Sequence, residues 1–337
     1  MQVRRIVRKL LLAPSSNSTS TGDDALATSN DIIWCYRLLL GREPEAHGQR
    51  GYEALLGAGG LTRRELVGFF LSSPEFTNRL LSTYQWAVGA PVPVEVGPLT
   101  YYVGANDTSI GSHLLQDGEY EPHVTYQIRS LLKPGQRFVD VGASFGYFAT
   151  LAGSIVGSTG ELIAFEPGPQ NQSLLLLNLA KNGVSQPEVH PVALSDSPGF
   201  LTYSSSGANG FVTPFLGDPS ELATRTLVRC ETLDSVIGNR QVDMMKIDVE
   251  GAEGLVLRGG EATIKRCHPI LLMEFSPPSL ESTSGMSGEE FLDLLEPIGY
   301  KFDIVSLSPR KATSPADIMK AFSSTSNDHI DIIAWVD

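Results

Sequence analysis

The sequence predicts an α/β fold, a mostly parallel sheet with helices on both faces, with a small all-α domain ahead of it. Three observations lead there. From about Leu131 onward, short apolar β-type runs alternate with helical runs, as in parallel strands joined by crossover helices. Between about Asn30 and Leu81, apolar residues recur at helical spacing. The chain has 337 residues, enough for two domains, and its 42% hydrophobic and 19% charged content is that of a globular protein.

Charge and cysteine usage narrow the function classes. With 25 Lys and Arg against 38 Asp and Glu, the formal net charge is −13. Non-specific nucleic-acid binding relies on basic patches that meet phosphates, so nucleic acid is not an expected partner. Cys35, Cys230 and Cys267 lie far apart and form no C-x-x-C pair, which speaks against a disulfide framework or a structural zinc site. They read as buried free thiols in a reducing compartment, and the chain as cytoplasmic. No apolar run approaches the ~18–20 residues of a membrane-spanning helix.

Residues 1–13 stand apart. Arg4, Arg5, Arg8 and Lys9 surround an apolar stripe of Val3, Ile6, Val7, Leu10 and Leu11. The stripe over residues 3–11 reads as a basic amphipathic helix touching an anionic membrane surface at its inner face, or as a helix docked on the protein. Its continuous apolar part is too short for a signal peptide. Residues 14–29, rich in Ser, Thr and Asn, read as a linker.

Residues 30–85 form the helical domain. Ile32, Ile33, Tyr36, Leu39 and Leu40 share one face, closed by Gly41. Thr62 with Glu65 is a capping box for a helix through Leu66, Phe69, Phe70 and Leu71. Ser73 before Pro74 reads as a second cap. His47 lies in a polar turn, and nothing in this domain carries chemistry. YRLLLGREPEAHGQRGYEALL with LTRRELVGFFLSSPEF resembles a short helical domain of unknown function of the phycobilisome-linker-like type. Such domains often accompany glycan-modifying enzymes, and the resemblance implies placement or a protein partner.

A proline-rich boundary near Pro91 opens the second domain, 92–337. Its strands are RFVDVG, ELIAFEP, PEVHPVALSD, DMMKIDVEG, PILLMEF, YKFDIVSL and HIDIIAWVD. Helical runs such as 169–181 and 288–296 lie between them, the latter opened by a capping box of Ser287 and Glu290. Such sheets bind ligands outside the carboxyl ends of their strands, so the residues ending each strand are the site candidates.

The first strand ends in Asp140-Val141-Gly142-Ala143-Ser144-Phe145-Gly146. Its glycines allow close backbone approach, and the next helix offers free amides. The acid disfavours a pyrophosphate and favours a cationic ligand such as S-adenosylmethionine (AdoMet), whose carboxylate can use the helix amides. The second strand ends in Phe165-Glu166-Pro167, an acid placed to accept from ribose hydroxyls. Ala193, Leu194, Ser195 and Asp196 read as the adenine edge, Asp196 equally as a turn residue. Asp248 and Glu250 follow the fourth strand, Glu253 enters the next helix, and Glu274 ends the fifth strand.

FVDVGASFGYF, FEPGPQNQSLLLLNLAKNG, VALSD, TLDSV and MMKIDVEGAEGLVLRGG, in this order, resemble the FkbM family of AdoMet-dependent methyltransferases over roughly residues 100–337. The resemblance implies a Rossmann-like class I methyltransferase sheet whose last strand, Ile330 to Val336, inserts antiparallel. It implies that Asp140, Gly142, Gly146 and Glu166 hold the cofactor, and that Glu121, in GSHLLQDGEYEPHVTYQIRSLL, lies at its methionine end. Ser144 departs from the Asn usual in the family. Known members are similar in methylating hydroxyl oxygens, often on sugars or polyketides.

Methylation of a hydroxyl gains from a general base, and Asp248, Glu250 and Glu274 are the candidates. His113 and His123 come second, while His190 and His268 read as lying at the strand starts, the wrong end of the sheet. The same three acids are an alternative Mg²⁺ site. The expected function is an AdoMet-dependent O-methyltransferase with a small-molecule or glycan acceptor. The alternatives are a catalytically silent binding or scaffold protein and, lacking G-x-G-x-x-G, an NAD-dependent enzyme. The Gly- and Ser-rich stretch 204–226 reads as an acceptor loop in which Phe211 and Phe215 either stack on a sugar or plug an apolar cluster.

Overall fold

A computed structural model describes residues 26–40, 42–57, 60–73, 75, 91–104, 107, 110–184, 187–206, 209–308 and 311–337. The basic stripe at 3–11, most of the segment read as a linker, Gly41 and Pro74 lie outside them. The chain divides into two compact units, Met1–Tyr84 and Gln85–Asp337. Among the described residues, no helix is long and apolar enough to cross a membrane.

In the first unit, Thr28 and Asp31 form a capping box for the helix Ser29–Cys35, so the helix begins at the end of the stretch read as a linker. It runs on into a π-helical turn, Tyr36–Leu40. Helices Ala46–Gly57 and Arg63–Ser72 follow, the second opened by the expected box of Thr62 and Glu65. Ile32, Cys35, Tyr36, Leu40, Leu66 and Phe70 form the core. Leu66 and Phe70 are one helical turn apart and face inward, whereas Phe69 is exposed.

The second unit starts with an antiparallel hairpin, β1 (Val92–Val96) and β2 (Leu99–Val103). The main sheet follows: β3 (Arg137–Val141), β4 (Glu161–Phe165), β5 (Glu188–His190), β10 (Met244–Ile247), β11 (Ile270–Phe275), β12 (Lys301–Ile304) and β13 (Ile330–Trp335). Its order is β12-β13-β11-β10-β3-β4-β5. β13 pairs antiparallel with both neighbours and every other pair is parallel, as expected for the last strand. Alternate residues feed two cores. Phe138, Leu162 and Met244 pack on one face, and Val139, Ile163 and Met245 on the other.

The run PEVHPVALSD does not make one strand. Pro191 has no N–H to continue the ladder, and β5 ends at His190. Ala193–Leu194 (β6) joins a separate small sheet with β7 (Gly199–Ser206), β8 (Asn209–Pro214) and β9 (Thr226–Glu231), in the order β6-β9-β7-β8. Much of 204–226 is therefore strand: β7 and β8 form a hairpin that pairs Leu201 with Pro214 and Ser206 with Asn209. Phe211 on it is exposed and plugs no cluster.

Candidate active-site cleft

A cleft of about 950 Å³ of empty space, counting the part open to solvent, lies over the carboxyl ends of the central strands. Among the described residues, four non-glycine residues have positive φ: Glu121, Ser144, Glu250 and His268. The first three line the cleft. Conformations this rare in L-residues gather where surrounding structure over-determines them, which is typical of functional sites.

The turn after β3 is held from two sides. The amides of Gly142 and Ala143 donate to the Phe165 carbonyl at 3.0 and 2.9 Å. Gly142 has φ +84°, and a Cβ there would lie 1.9 Å from the Asp248 carbonyl oxygen. Its glycine is required because the β3 and β10 ends touch. Gly146 caps the helix Tyr147–Val156 and packs on Leu175, away from the cleft lining. Ser144 sits at φ +49°, a conformation that also suits Asn. The turn uses its amide, which donates to Glu166 Oε2 at 2.8 Å.

Glu166 is buried and lines the cleft. Its other oxygen accepts from the Gly168 amide at 2.7 Å. Burial pushes its carboxyl up to about 7 against the pull of the Gly168 and Ser144 amides. The Asn171 side chain also donates to this carboxylate, so of its four lone-pair positions one stays beyond these three bonds. Pro167, Ala193 and Leu194 line the same cleft. Ser195 and Asp196 do not: the Ser195 amide donates to the Glu231 carbonyl, and Asp196 is an exposed turn residue accepting from Ser197.

Glu121 precedes the helix Pro122–Leu131 and faces the cleft. Its buried Oε2 has no hydrogen-bond partner. Burial raises its carboxyl above the usual range, against the attraction of Lys246. Asp140 lies out of the cleft lining and is fully buried, and neither of its oxygens makes a hydrogen bond of normal geometry. Burial pushes it up to about 6, eased by Lys246 and weakly by the Ala149 amide. Lys246 is the cross-strand neighbour of Asp140. Its Nζ lies 2.6 Å from Asp248 Oδ2 and 4.7 Å from the Phe148 ring centre. Burial alone would discharge it, but Asp248, Glu121 and Asp140 outweigh that and keep it protonated.

Asp248, Glu250 and Glu274 all line the cleft, as read from the sequence. Burial, then the nearby Asp248, pushes Glu250 up to about 7. Burial and its acidic neighbours push Glu274 furthest above the carboxylate range. The buried Glu253 holds the turn: its Oε1 accepts from the amides of Val249 and Gly251 at 2.8 and 3.3 Å. Among the described residues, no group of three His, Cys, Asp or Glu is arranged to hold a metal ion, so the Mg²⁺ alternative finds no donor set here. The acids share a cleft without converging on one point.

His113 and His123 are exposed and outside the cleft lining. His190 is a correction: β5 is parallel to β4 and ends at His190, so this residue lies at the carboxyl rim. It is spent structurally, stacked on Phe165 and 2.6 Å from Glu188. The cleft also holds residues that strand-end reading missed. Tyr203, Asn209, Gly210 and Val212 come from the β7–β8 hairpin, and Asp328 and His329 from the turn before β13. Because β13 runs antiparallel, its start lies where the other strands end. That inversion was the available signal for His329. Cys35, Cys230 and Cys267 are free and buried.

Residues 140–302 match the family model of the methyltransferase FkbM domain. This segment is an FkbM methyltransferase domain. Residues 15–80 match the domain of unknown function DUF4214, which begins within the stretch read as a linker. No curated protein matches the chain. Among solved structures it is similar to methyltransferase FkbM from Methylobacillus flagellatus KT, at 15% identity and a TM-score of 0.39. That match covers 91% of this chain and 60% of the other, so the chain spans less than two thirds of that structure. A SAM-dependent O-methyltransferase from Thermotoga maritima is similar at 13% identity and a TM-score of 0.36, covering 74% and 79%. The FkbM domain thus contains every strand-end candidate except Glu121.

Proposed function

We propose that this chain is an AdoMet-dependent O-methyltransferase acting on a hydroxyl of a sugar or glycoconjugate. The observation that carries this reading is Glu121, which lines the cleft and has one buried carboxylate oxygen without a hydrogen-bond partner, with fully buried Asp140 in the same charge cluster. Acids that outnumber the Lys246 charge among them call for a further cationic partner. Bound AdoMet supplies such a cation and an electrophilic methyl group. Glu121 would face its charged methionine end, with Asp140 adding negative potential from behind. Glu166 keeps one acceptor position for a ribose hydroxyl, and Ala193 and Leu194 offer apolar contact to the base. Asp248, Glu250 and Glu274 supply proton-accepting or hydrogen-bonding groups beside the acceptor hydroxyl. The helical unit would place the enzyme, with a protein partner at residues 30–85 or weak membrane contact at 3–11.

Thermal unfolding with S-adenosylhomocysteine, with NAD and with neither tests the cofactor. At 100 times its dissociation constant a ligand stabilises by ~2.7 kcal/mol, a shift of several degrees. S-adenosylhomocysteine is expected to give that shift, Asp140→Asn to reduce it, and NAD to give none. Labelled methyl transfer to a panel of neutral glycans then identifies the acceptor. No shift at millimolar S-adenosylhomocysteine overturns the reading and leaves the scaffold alternative.

A further inference from the structure

His329 is the imidazole in the cleft lining, and its setting is built by two elements. Its Nδ1 lies 2.9 Å from Asp328 Oδ1 and 3.9 Å from Glu274 Oε2. The turn that carries it is tied to the end of β11, where the buried Ser276 Oγ donates to the Asp328 carbonyl at 2.7 Å. A carboxylate accepts, so Nδ1 carries the proton and Nε2 keeps its lone pair. A base whose far nitrogen is fixed by an acid is the arrangement of an oriented general base.

The three carboxylates are less suited to that role. Asp248 is committed to Lys246 at 2.6 Å. Glu274 is buried against Asp248, Glu253, Glu250 and Asp331, and Glu250 against Asp248 and Asp328, so both tend to keep their protons. His329 is half-exposed at the mouth, where a proton taken from substrate can leave to solvent.

We propose that His329 is the general base of the methyl transfer, with Asp328 as the positioning residue that holds its Nδ1–H and turns Nε2 to the acceptor hydroxyl. This rests on the methyltransferase reading above. As the acceptor oxygen bonds to the methyl carbon, the carbon–sulfur electron pair stays on sulfur and the hydroxyl proton moves to Nε2. The imidazolium is met by the Asp328 carboxylate, and the proton passes to water.

Two measurements on the full chain test this. Long-range ¹H–¹⁵N correlation spectra, with His329→Gln to assign the signal, report the neutral tautomer. Protonation at Nδ1 is expected, and an Nε2–H tautomer overturns the proposal. Calorimetry with S-adenosylhomocysteine and methyl-transfer kinetics with the acceptor from the glycan panel then separate binding from chemistry. His329→Gln is expected to bind S-adenosylhomocysteine within about twofold of the unmodified chain while kcat falls ~10²–10⁴-fold. Asp328→Ala is expected to lower kcat less and to mix the tautomers. Full kcat in His329→Gln overturns the assignment and leaves the methyltransferase reading standing. If the unmodified chain binds no S-adenosylhomocysteine, both fall together.

Discussion

Glu166 and Glu274 both end strands of one sheet, are largely shielded from water and line one cleft, yet their surroundings differ. Glu166 receives two backbone amides, from Ser144 and Gly168, and its carboxyl is pushed only to about 7. Glu274 receives no backbone amide, and its cross-strand partner on β13 is another acid, Asp331. Burial and four acidic neighbours drive its carboxyl further up. The β3–β4 side thus pins its carboxyl with backbone amides, as a binding group requires. The β10–β11–β13 side crowds acids around one lysine, which suits proton handling.

The sharpest way to break this contrast is to remove the lysine. Lys246→Met would leave Asp248 without its partner, with Asp140, Glu121 and Asp331 facing no counter-charge at that point. Breaking one partner of a buried pair costs about 3–5 kcal/mol. At ~2–4 °C per kcal/mol for a unit of this size, the unfolding midpoint is expected to fall by about 10 °C. A fall below about 2 °C, measured by calorimetric scan, would mean that the neighbouring acids carry little charge in the fold.

Glu166→Gln is expected to act less strongly and on binding. The amide keeps the shape but turns an NH₂ toward the amide of Ser144 or Gly168, leaving one donor unmet. That costs about 1–3 kcal/mol. It also removes an acceptor from the ribose position, so S-adenosylhomocysteine affinity should drop about tenfold by titration calorimetry. Unchanged affinity would mean that Glu166 only braces the turn and that the ribose lies elsewhere.

The same contrast governs what could be read in advance. The strand-end acids were legible because period-two runs fix where a strand stops, and all of Glu166, Asp248, Glu250 and Glu274 reached the cleft. Ser195 and Asp196 did not, because Pro191 ends β5 early and sends Ala193 and Leu194 into a second sheet. The β7–β8 hairpin was hidden because Gly and Ser dominate its turn and suggest a loop. His329 was missed because carboxyl-end reasoning assumes parallel strands, and β13 reverses the rule although its reversal was expected. Of the two glycines, Gly142 lines the cleft, while Gly146 packs on Leu175 away from it.

Glu274→Gln gives the clearest sign. A carboxyl raised above its ordinary 4.5 keeps its proton in the folded chain at pH values where the unfolded chain has lost it. The folded state then binds more protons, so stability falls as pH rises from about 4.5 toward the folded value. Glutamine cannot ionise and loses no backbone donor here, so the variant should match the unmodified chain near pH 4.5 and exceed it increasingly above that. At ~1.4 kcal/mol per pH unit the gain at pH 8.5 should reach a few kcal/mol, or several degrees in the midpoint. Glu166→Gln, by contrast, should lie below the unmodified chain near pH 4.5, since there the loss of an amide acceptor is all that differs. Parallel midpoint-against-pH curves for Glu274→Gln and the unmodified chain would mean that Glu274 is ionised in the folded state. The crowded side of the cleft would then hold its acids charged.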